Sequence, residues 1–291
     1  MQGFKRNFKW YSLGFLVIMA FLIWSAVLAQ ENTRLKVAFL DVGQGDSIYI
    51  EAPNGHQMII DGGPPGALLP ALREVMPFSD RSIDVIMVTN PDQDHFAGFI
   101  DLLDTYEVGA VIESGTFNKS KIYARLETMI NEKEIPKIIA RRGMQVDFGS
   151  GVHLEILFPD RDISAWTPND GSIVAKLVYG NTAIMLTGDA TQKTESYILS
   201  GSEDSKQAGS LASNILKVGH HGSRTSSSDA FVKAVDPEYA VISDGRDNKY
   251  GHPHQETLDT LNKYGAKILR TDLLGTIIFE SDGNMLYEKR K

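Results

Sequence analysis

Four times in this chain a short apolar, β-branched run stops at a cluster of Asp, Asn, Gly and His. Ile83–Thr89 runs into Asn90-Pro91-Asp92-Gln93-Asp94-His95, and Ala183–Leu186 into Thr187-Gly188-Asp189. Ile215–Val218 runs into Gly219-His220-His221-Gly222-Ser223, and Ala240–Ser243 into Asp244-Gly245 and then Asn248-Lys249-Tyr250-Gly251-His252-Pro253-His254. Of seven histidines, five lie in these strand-end loops, which makes the loops the place to look for chemistry. His56 falls in a hairpin and His153 in a strand, where structural roles are expected.

Around the clusters the chain alternates. Leu35–Leu40, Ser47–Ala52 and Gln57–Ile60 read as strands, with Asn54-Gly55 as a hairpin turn. Helical patterns at Ala67–Met76, His95–Tyr106 and Ile122–Glu134 are separated by strands at Ile83–Thr89 and Gly109–Glu113. From Lys137 to Leu186 the pattern is mainly β. Helices at Thr191–Ser200, Ser226–Ala234 and Gln255–Tyr264 then alternate with strands, ending in a strand pair near Lys267–Glu280. Hairpins followed by strand–helix alternation, repeated in the second half, fit an αββα sandwich of two sheets with helices outside, although periodicity alone does not choose it over other α/β layouts and the motifs below do. The polar stretch Gly201–Ser210 reads as an exposed loop.

The N-terminus differs from the rest. Lys5, Arg6 and Lys9 precede an uncharged run from about Trp10 to Ala29. Roughly 20 helical residues cross the ~30 Å hydrocarbon layer, and the basic flank is expected to stay in the cytoplasm. Residues 1–30 are therefore expected to form an uncleaved single-pass anchor, with residues 31–291 as one domain outside the membrane. A signal peptide cut near Val27-Leu28-Ala29, giving a secreted protein, is the alternative. The absence of cysteine excludes disulfides, thiolate catalysis and Cys-ligated zinc. A net charge of −8 excludes a global basic field, so a nucleic acid would have to be captured by local groups such as Arg224 and Arg246, or by metal.

Asp92, Asp94 and His95 bring two carboxylates and an imidazole together on one Pro-braced loop, a donor set suited to Zn²⁺ or Mn²⁺. The motifs Val42-Gly43-Gln44-Gly45-Asp46-Ser47, Asp61-Gly62-Gly63, Asp92/Asp94/His95, Thr187-Gly188-Asp189, His220-His221-Gly222-Ser223 and Tyr250-Gly251-His252-Pro253 occur in order along the chain. Over about Leu35 to Phe279 they resemble the metallo-β-lactamase-like domain of the ComEC competence family. The many-span channel and OB-fold domain of that family are not in this sequence, so a free-standing version on its own anchor is expected.

The resemblance implies one or two divalent ions at the mouth between the sheets. Asp92, Asp94 and His95 match the first metal motif, Asp189 the carboxylate bridging two ions, and His220 a later ligand. His221 would be a ligand or the proton donor to the leaving group. Asp94 would orient a metal-activated water that attacks phosphorus, while Asn248, His252 and Ser223 would hold the substrate phosphate. Asn90 departs from the family pattern, which has a metal-binding histidine there. One ion is therefore expected to be weak, or the site to favour a hard ion such as Mn²⁺, with Asn169–Ser172 filling the missing position. The implied activity is an extracytoplasmic phosphodiesterase or nuclease acting on DNA, served by a DNA-uptake channel protein. A hydrolase of another envelope ester, or a non-catalytic DNA- or partner-binding domain, are the competing readings.

Overall fold

The computed structural model describes residues 2–28, 34–204 and 211–289. The chain divides into two compact units, residues 1–33 and 34–291. The first holds one helix, α1 (Gln2–Leu28), whose apolar residues Trp10, Leu13, Phe15, Leu16, Ile18, Phe21 and Trp24 are exposed. Side chains of this helix are described only from residue 10 to 24, so the expected anchor lies partly outside the described residues. Among the described residues no helix is long and apolar enough to cross a membrane.

In the second unit alternation decides the layers. β1 (Leu35–Phe39), β2 (Ile48–Glu51) and β3 (Gln57–Ile60) form an antiparallel meander, to which β4 (Ser82–Val88), β5 (Glu107–Glu113) and β6 (Lys137–Ile139) add in parallel. Val37, Phe39, Ile48 and Ile50 face inward, while Ala38, Tyr49 and Ile59 face outward. A side-chain period of two thus gives this sheet two apolar faces, and both need covering. The outer face is covered by α2 (Leu68–Leu72), α3 (Gln93–Phe96), α4 (Gly98–Thr105) and α5 (Lys121–Glu132), through Leu68, Phe96, Phe99, Leu102 and Leu126.

The second sheet repeats the plan. β7 (Gln145–Gly149), β8 (Val152–Phe158), β9 (Val174–Tyr179) and β10 (Thr182–Leu186) are antiparallel. β11 (Ile215–Lys217), β12 (Tyr239–Ile242) and β13 (Lys267–Arg270) then continue in parallel with β10. Leu154, Ile156, Leu177 and Ile184 meet the inner face of the first sheet. Met185, Leu216 and Ile242 face α6 (Gln192–Asp204), α7 (Asp229–Val235) and α8 (Gln255–Lys263), through Ile198, Phe231, Val232 and Leu261. This is the expected αββα sandwich, and its core lies in three apolar layers.

Three local expectations change. The helix expected over Ala67–Met76 shortens to α2, and the one expected over His95–Tyr106 starts earlier and breaks at Ala97. The break has a cause: Gly98 N–H donates to Gly63 O at 3.0 Å instead of continuing the helical ladder. The strand pair expected near Lys267–Glu280 is split between the sheets. β13 pairs with β12, while α9 (Thr271–Leu274) and a left-handed Gly275 (φ 72°) carry the chain across to β14 (Ile277–Ser281), antiparallel to β1. β15 (Leu286–Lys289) completes that edge. Of the polar stretch Gly201–Ser210, residues 201–204 continue α6 and the remainder lies outside the described residues.

Candidate functional site

Parallel pairing sends the C-terminal ends of β3 and β4 to one edge of the first sheet, and those of β10, β11 and β12 to one edge of the second. Loops at carboxyl ends of parallel strands are the usual ligand-binding positions of open α/β sheets. Here the two edges meet: His95 Nε2, after β4, lies 3.1 Å from Asp189 Oδ2, after β10.

Asp61 organises the first edge. Its carboxylate accepts from Thr89 N (2.8 Å) and Thr89 Oγ1 (2.6 Å), and binds His95 Nδ1 at 2.8 Å. This fixes the imidazole so that Nε2 points at the mouth, the support that metal-binding histidines generally receive. Asn90 Oδ1 accepts from Asp92 N (2.8 Å), folding the loop, and His95 N–H donates to Asp92 O (2.9 Å) as α3 begins. Asp94 and His95 are thereby placed in its first turn.

The second edge depends on a strained turn. His220 (φ 48°, ψ 47°) and His221 (φ 54°, ψ 26°) are consecutive left-handed residues, at a cost of about 1–2 kcal/mol each. Backbone strain of this kind concentrates at functional sites. It turns both rings toward the mouth: His221 Nε2 lies 3.4 Å from Asp94 Oδ2 and 3.6 Å from Asp189 Oδ1, and His220 Nε2 lies 3.8 Å from Asp189 Oδ2. Their Nδ1 atoms are held from behind, His221 by Ser243 O (2.9 Å) and His220 by Thr225 Oγ1 (3.2 Å). Gly188 (φ 50°) must lack a side chain, since a Cβ there would meet Thr89 Oγ1 at 2.7 Å.

Burial pushes the Asp189 carboxyl up, but the His95 and His221 imidazoles overcome it and hold Asp189 well below the ordinary range. Burial pulls His221 down, yet Asp189 and Asp46 drive it up to about 10. His95 is likewise held well above its usual value by Asp189 and Asp61, against burial. The carboxylates thus demand positive charge at this point, which imidazolium protons or a cation can supply.

A divalent ion fits the donors. His95 Nε2, His221 Nε2 and Asp189 Oδ1 are buried without a hydrogen-bond partner. Tetrahedral ligands at 2.0–2.1 Å lie about 3.3 Å from one another. Three pair separations, His95 Nε2 to Asp189 Oδ2 (3.1 Å), His221 Nε2 to Asp94 Oδ2 (3.4 Å) and His221 Nε2 to Asp189 Oδ1 (3.6 Å), bracket that value. Asp94, His95 and His221 form one group able to hold an ion.

Other expected site residues are placed differently. His252 joins the cluster, its ring centroid 5.7 Å from His220 and 6.4 Å from His221; burial, then His221 and His220, press its pKa down to about 4. Asp92 stands half-buried beside the cluster and is absent from the three close ligand groups. Ser223 Oγ bonds Thr225 Oγ1 at 3.0 Å. Asn248 is turned into its own loop: Nδ2 donates to Asp244 Oδ2, Gly245 O and His252 O, and Oδ1 accepts from Tyr250 N and His252 N. Its amide is occupied in shaping the loop that carries His252. Sequence reasoning gave no role to Asp46, Asp61 or Lys217, although Gly45-Asp46 and Asp61-Gly62 carry the same strand-end signature as Gly188-Asp189. Lys217 is fully buried with its Nζ on Asp46 Oδ2.

A family model described as Metallo-beta-lactamase superfamily matches residues 40–245. The chain belongs to that superfamily. Its superfamily is one of metal-dependent hydrolases. The chain is similar to Competence protein ComA of Neisseria gonorrhoeae, 32% identical over 91% of this chain and 35% of the relative. It is also similar to ComE operon protein 3 of Bacillus subtilis, 30% identical over 83% of this chain and 32% of the relative. The chain spans about a third of the length of these competence proteins. The resemblance to the ComEC family read from the motifs is borne out. Among solved structures, the metallo-beta-lactamase fold protein YhfI from Bacillus subtilis superposes with a TM-score of 0.54 at 9% identity, covering 88% of this chain and 100% of that one. Igni18, a metallo hydrolase from Ignicoccus hospitalis, gives 0.53 at 14% identity, covering 85% and 99%. These two likenesses are of fold.

Proposed function

We propose that this chain is a divalent-metal-dependent phosphodiesterase acting on DNA outside the cytoplasmic membrane. The observation that carries the reading is the convergence of buried His95 Nε2, His221 Nε2 and Asp189 Oδ1, which lack hydrogen-bond partners and lie at ion-pair distances within the cluster, beside Asp94. The similarity to competence proteins supports DNA as the substrate. When bound, the ion lowers the pKa of water for attack on phosphorus and neutralises charge developing on the phosphoryl oxygens. Asp94, His95, Asp189 and His221 would hold it. Asp94 is the most exposed of the four, its side chain 34% accessible, so it meets the attacking water and orients it. His220, a quarter exposed and fixed through Nδ1, presents Nε2 to the leaving oxygen. His252 lines the opening as a neutral hydrogen-bonding group.

Residues 1–30 serve as the anchor in this reading. The basic flank, the uncharged run that follows and the exposed apolar side chains of α1 support it. Protease added to intact spheroplasts is expected to digest the domain, and protection would place it inside.

The decisive assay is cleavage of labelled single- and double-stranded DNA with Mn²⁺ or Zn²⁺. Loss of supporting residues around metal ligands costs 10–100-fold, so Asp94→Ala or Asp189→Ala should cost at least about 100-fold. Metal-loaded protein that leaves DNA intact would move the substrate to another ester, and protein that binds no metal would favour a binding module.

A further inference from the structure

Two exposed aromatic rings stand at the mouth outside the candidate metal cluster. Among the described residues of the domain, only Phe78, Phe117 and Tyr250 are aromatic side chains more than half exposed. Arg81 covers Phe78, its guanidinium 4.6 Å from the ring centre. The other two lie at the strand ends that carry His95 and His221.

Tyr250 ends a row of rings. His221, buried in the cluster, stacks on His252 at 6.4 Å and 28°, and His252 stacks on Tyr250 at 5.7 Å and 23°. The row runs outward from the cluster to a residue that is 54% exposed. One amide fixes its outer end, since Tyr250 N and His252 N both donate to Asn248 Oδ1. Exposed Lys249 holds its ammonium 5.1 Å from the Tyr250 ring centre. Phe117 stands on the first sheet's side of the mouth. It follows β5, whose parallel pairing with β4 brings its end to the edge that carries His95. Asn118 Nδ2 donates to Pro91 O at 2.6 Å, tying the Phe117 loop to the Asn90–His95 loop. The Phe117 ring meets Tyr123 at 6.5 Å and 89°, and the residue is 64% exposed.

An exposed ring gains free energy when a flat apolar partner displaces its water. A nucleobase is such a partner, because every base has a π-face. Bases inside a duplex already cover one another, so unpaired bases are the ones that reach these rings. Charge offers the site little, with a net −8 over the chain. Of the two arginines expected to capture DNA, Arg224 faces Glu256 at 3.5 Å and Arg246 donates to Asp272 O.

We propose that Tyr250 and Phe117 are stacking platforms that take unpaired nucleobases on the two sides of the cluster and set a preference for single-stranded over duplex DNA. The inference rests on the DNA reading above for its substrate. Lys249 then supplies a cation for the phosphate of the base stacked on Tyr250.

The test uses the full chain in detergent with Mn²⁺ and a labelled thymidine strand of about 12 nucleotides, its linkages phosphorothioate to slow cleavage, with binding read by anisotropy. An abasic strand with the same number of phosphates and a blunt duplex are the comparisons, and both should bind at least about fivefold more weakly. Tyr250→Ala and Phe117→Ala, folded by circular dichroism, should each lose about 5–150-fold on the thymidine strand, the worth of one base–aromatic stack. On the abasic strand each should stay within about twofold of wild type, and Tyr250→Phe, which keeps the π-face, should do so on both strands. Unchanged thymidine binding in either alanine variant, an equal loss on the abasic strand, tighter binding of duplex, or no binding of any strand would overturn the inference. Ring-dependent binding with no cleavage of an unmodified strand would leave it standing and remove the phosphodiesterase reading. Cleavage of DNA that is indifferent to both rings would do the reverse.

Discussion

Lys217 shows how much of this site is held by single buried charges. Its side chain is 0% exposed, paired with Asp46 and 3.4 Å from Gly188 O. A buried ion pair adds little net stability, but breaking one leaves an uncompensated charge at about 3–5 kcal/mol. Lys217→Met should therefore cost about that much in urea unfolding, and adding Asp46→Leu should recover most of it. A single variant costing under about 1 kcal/mol would show that water reaches the pair. Glu113 gives the opposite case, away from the site. Burial, then Glu127 beside it, pushes its pKa up to about 7 despite Lys137 at 3.2 Å. Because the folded pKa exceeds the unfolded value, folding favours the protonated form: that stability is present below about pH 4.5 and is lost as pH rises through about 7. Glu113→Gln should gain up to about 3 kcal/mol on wild type between pH 5 and 8, read as the difference in unfolding free energy at those two values. An unchanged difference would mean that Lys137 already neutralises the carboxylate.

At the scale of elements, the site depends on close approaches that only glycine allows. A Cβ on Gly98 would lie 2.0 Å from Gly62 O, so α4 rests directly on the end of β3. Gly62 N–H also bonds His95 O, and the same contact therefore sets the height of His95. Gly98→Ala should cost at least about 2 kcal/mol and weaken metal binding, as overpacking against backbone does. Calorimetry on the folded variant checks both, and unchanged metal affinity would uncouple the contact from His95. Much of this level was legible in the sequence. The strand-end clusters could be read because a turn, a cap and a ligand lie within a few residues of one another, as in Asn90–His95. The fate of Lys267–Glu280 could not be read, since β14 is recruited by β1, far away in sequence, and two apolar runs around a glycine look like a hairpin. The direction of the Asn248 amide was equally hidden, because its partners are backbone groups of a loop whose path the sequence leaves open. Lys217 was missed for a related reason: inside an apolar strand it looks like an exposed position, and only the packing of two sheets buries it.

For the molecule as a whole, the proposed ligand set would also be a fastening. Asp94 and His95 follow β4 in the first sheet, while Asp189 and His221 follow β10 and β11 in the second. The inner core already joins the sheets along their length, so an ion adds its tie only at the mouth, where carboxylates otherwise face one another. A ligand that binds only the folded state stabilises it by about 4 kcal/mol at a thousand times its dissociation constant. For a domain of this size each kcal/mol is worth roughly 2–4 °C, so chelation should lower the melting temperature by roughly 8–16 °C. The loss should be local before it is global. Hydrogen exchange after chelation should speed up first at the ends of β4, β10 and β11, with β7 and β15, at the far edges of the two sheets, unchanged. In Asp189→Ala the two states should melt alike, since the second-sheet carboxylate that faces His95 of the first sheet is gone. Uniform loss of protection, or the same chelation shift in Asp189→Ala, would mean that the metal acts elsewhere and that the mouth is held by its protein contacts alone.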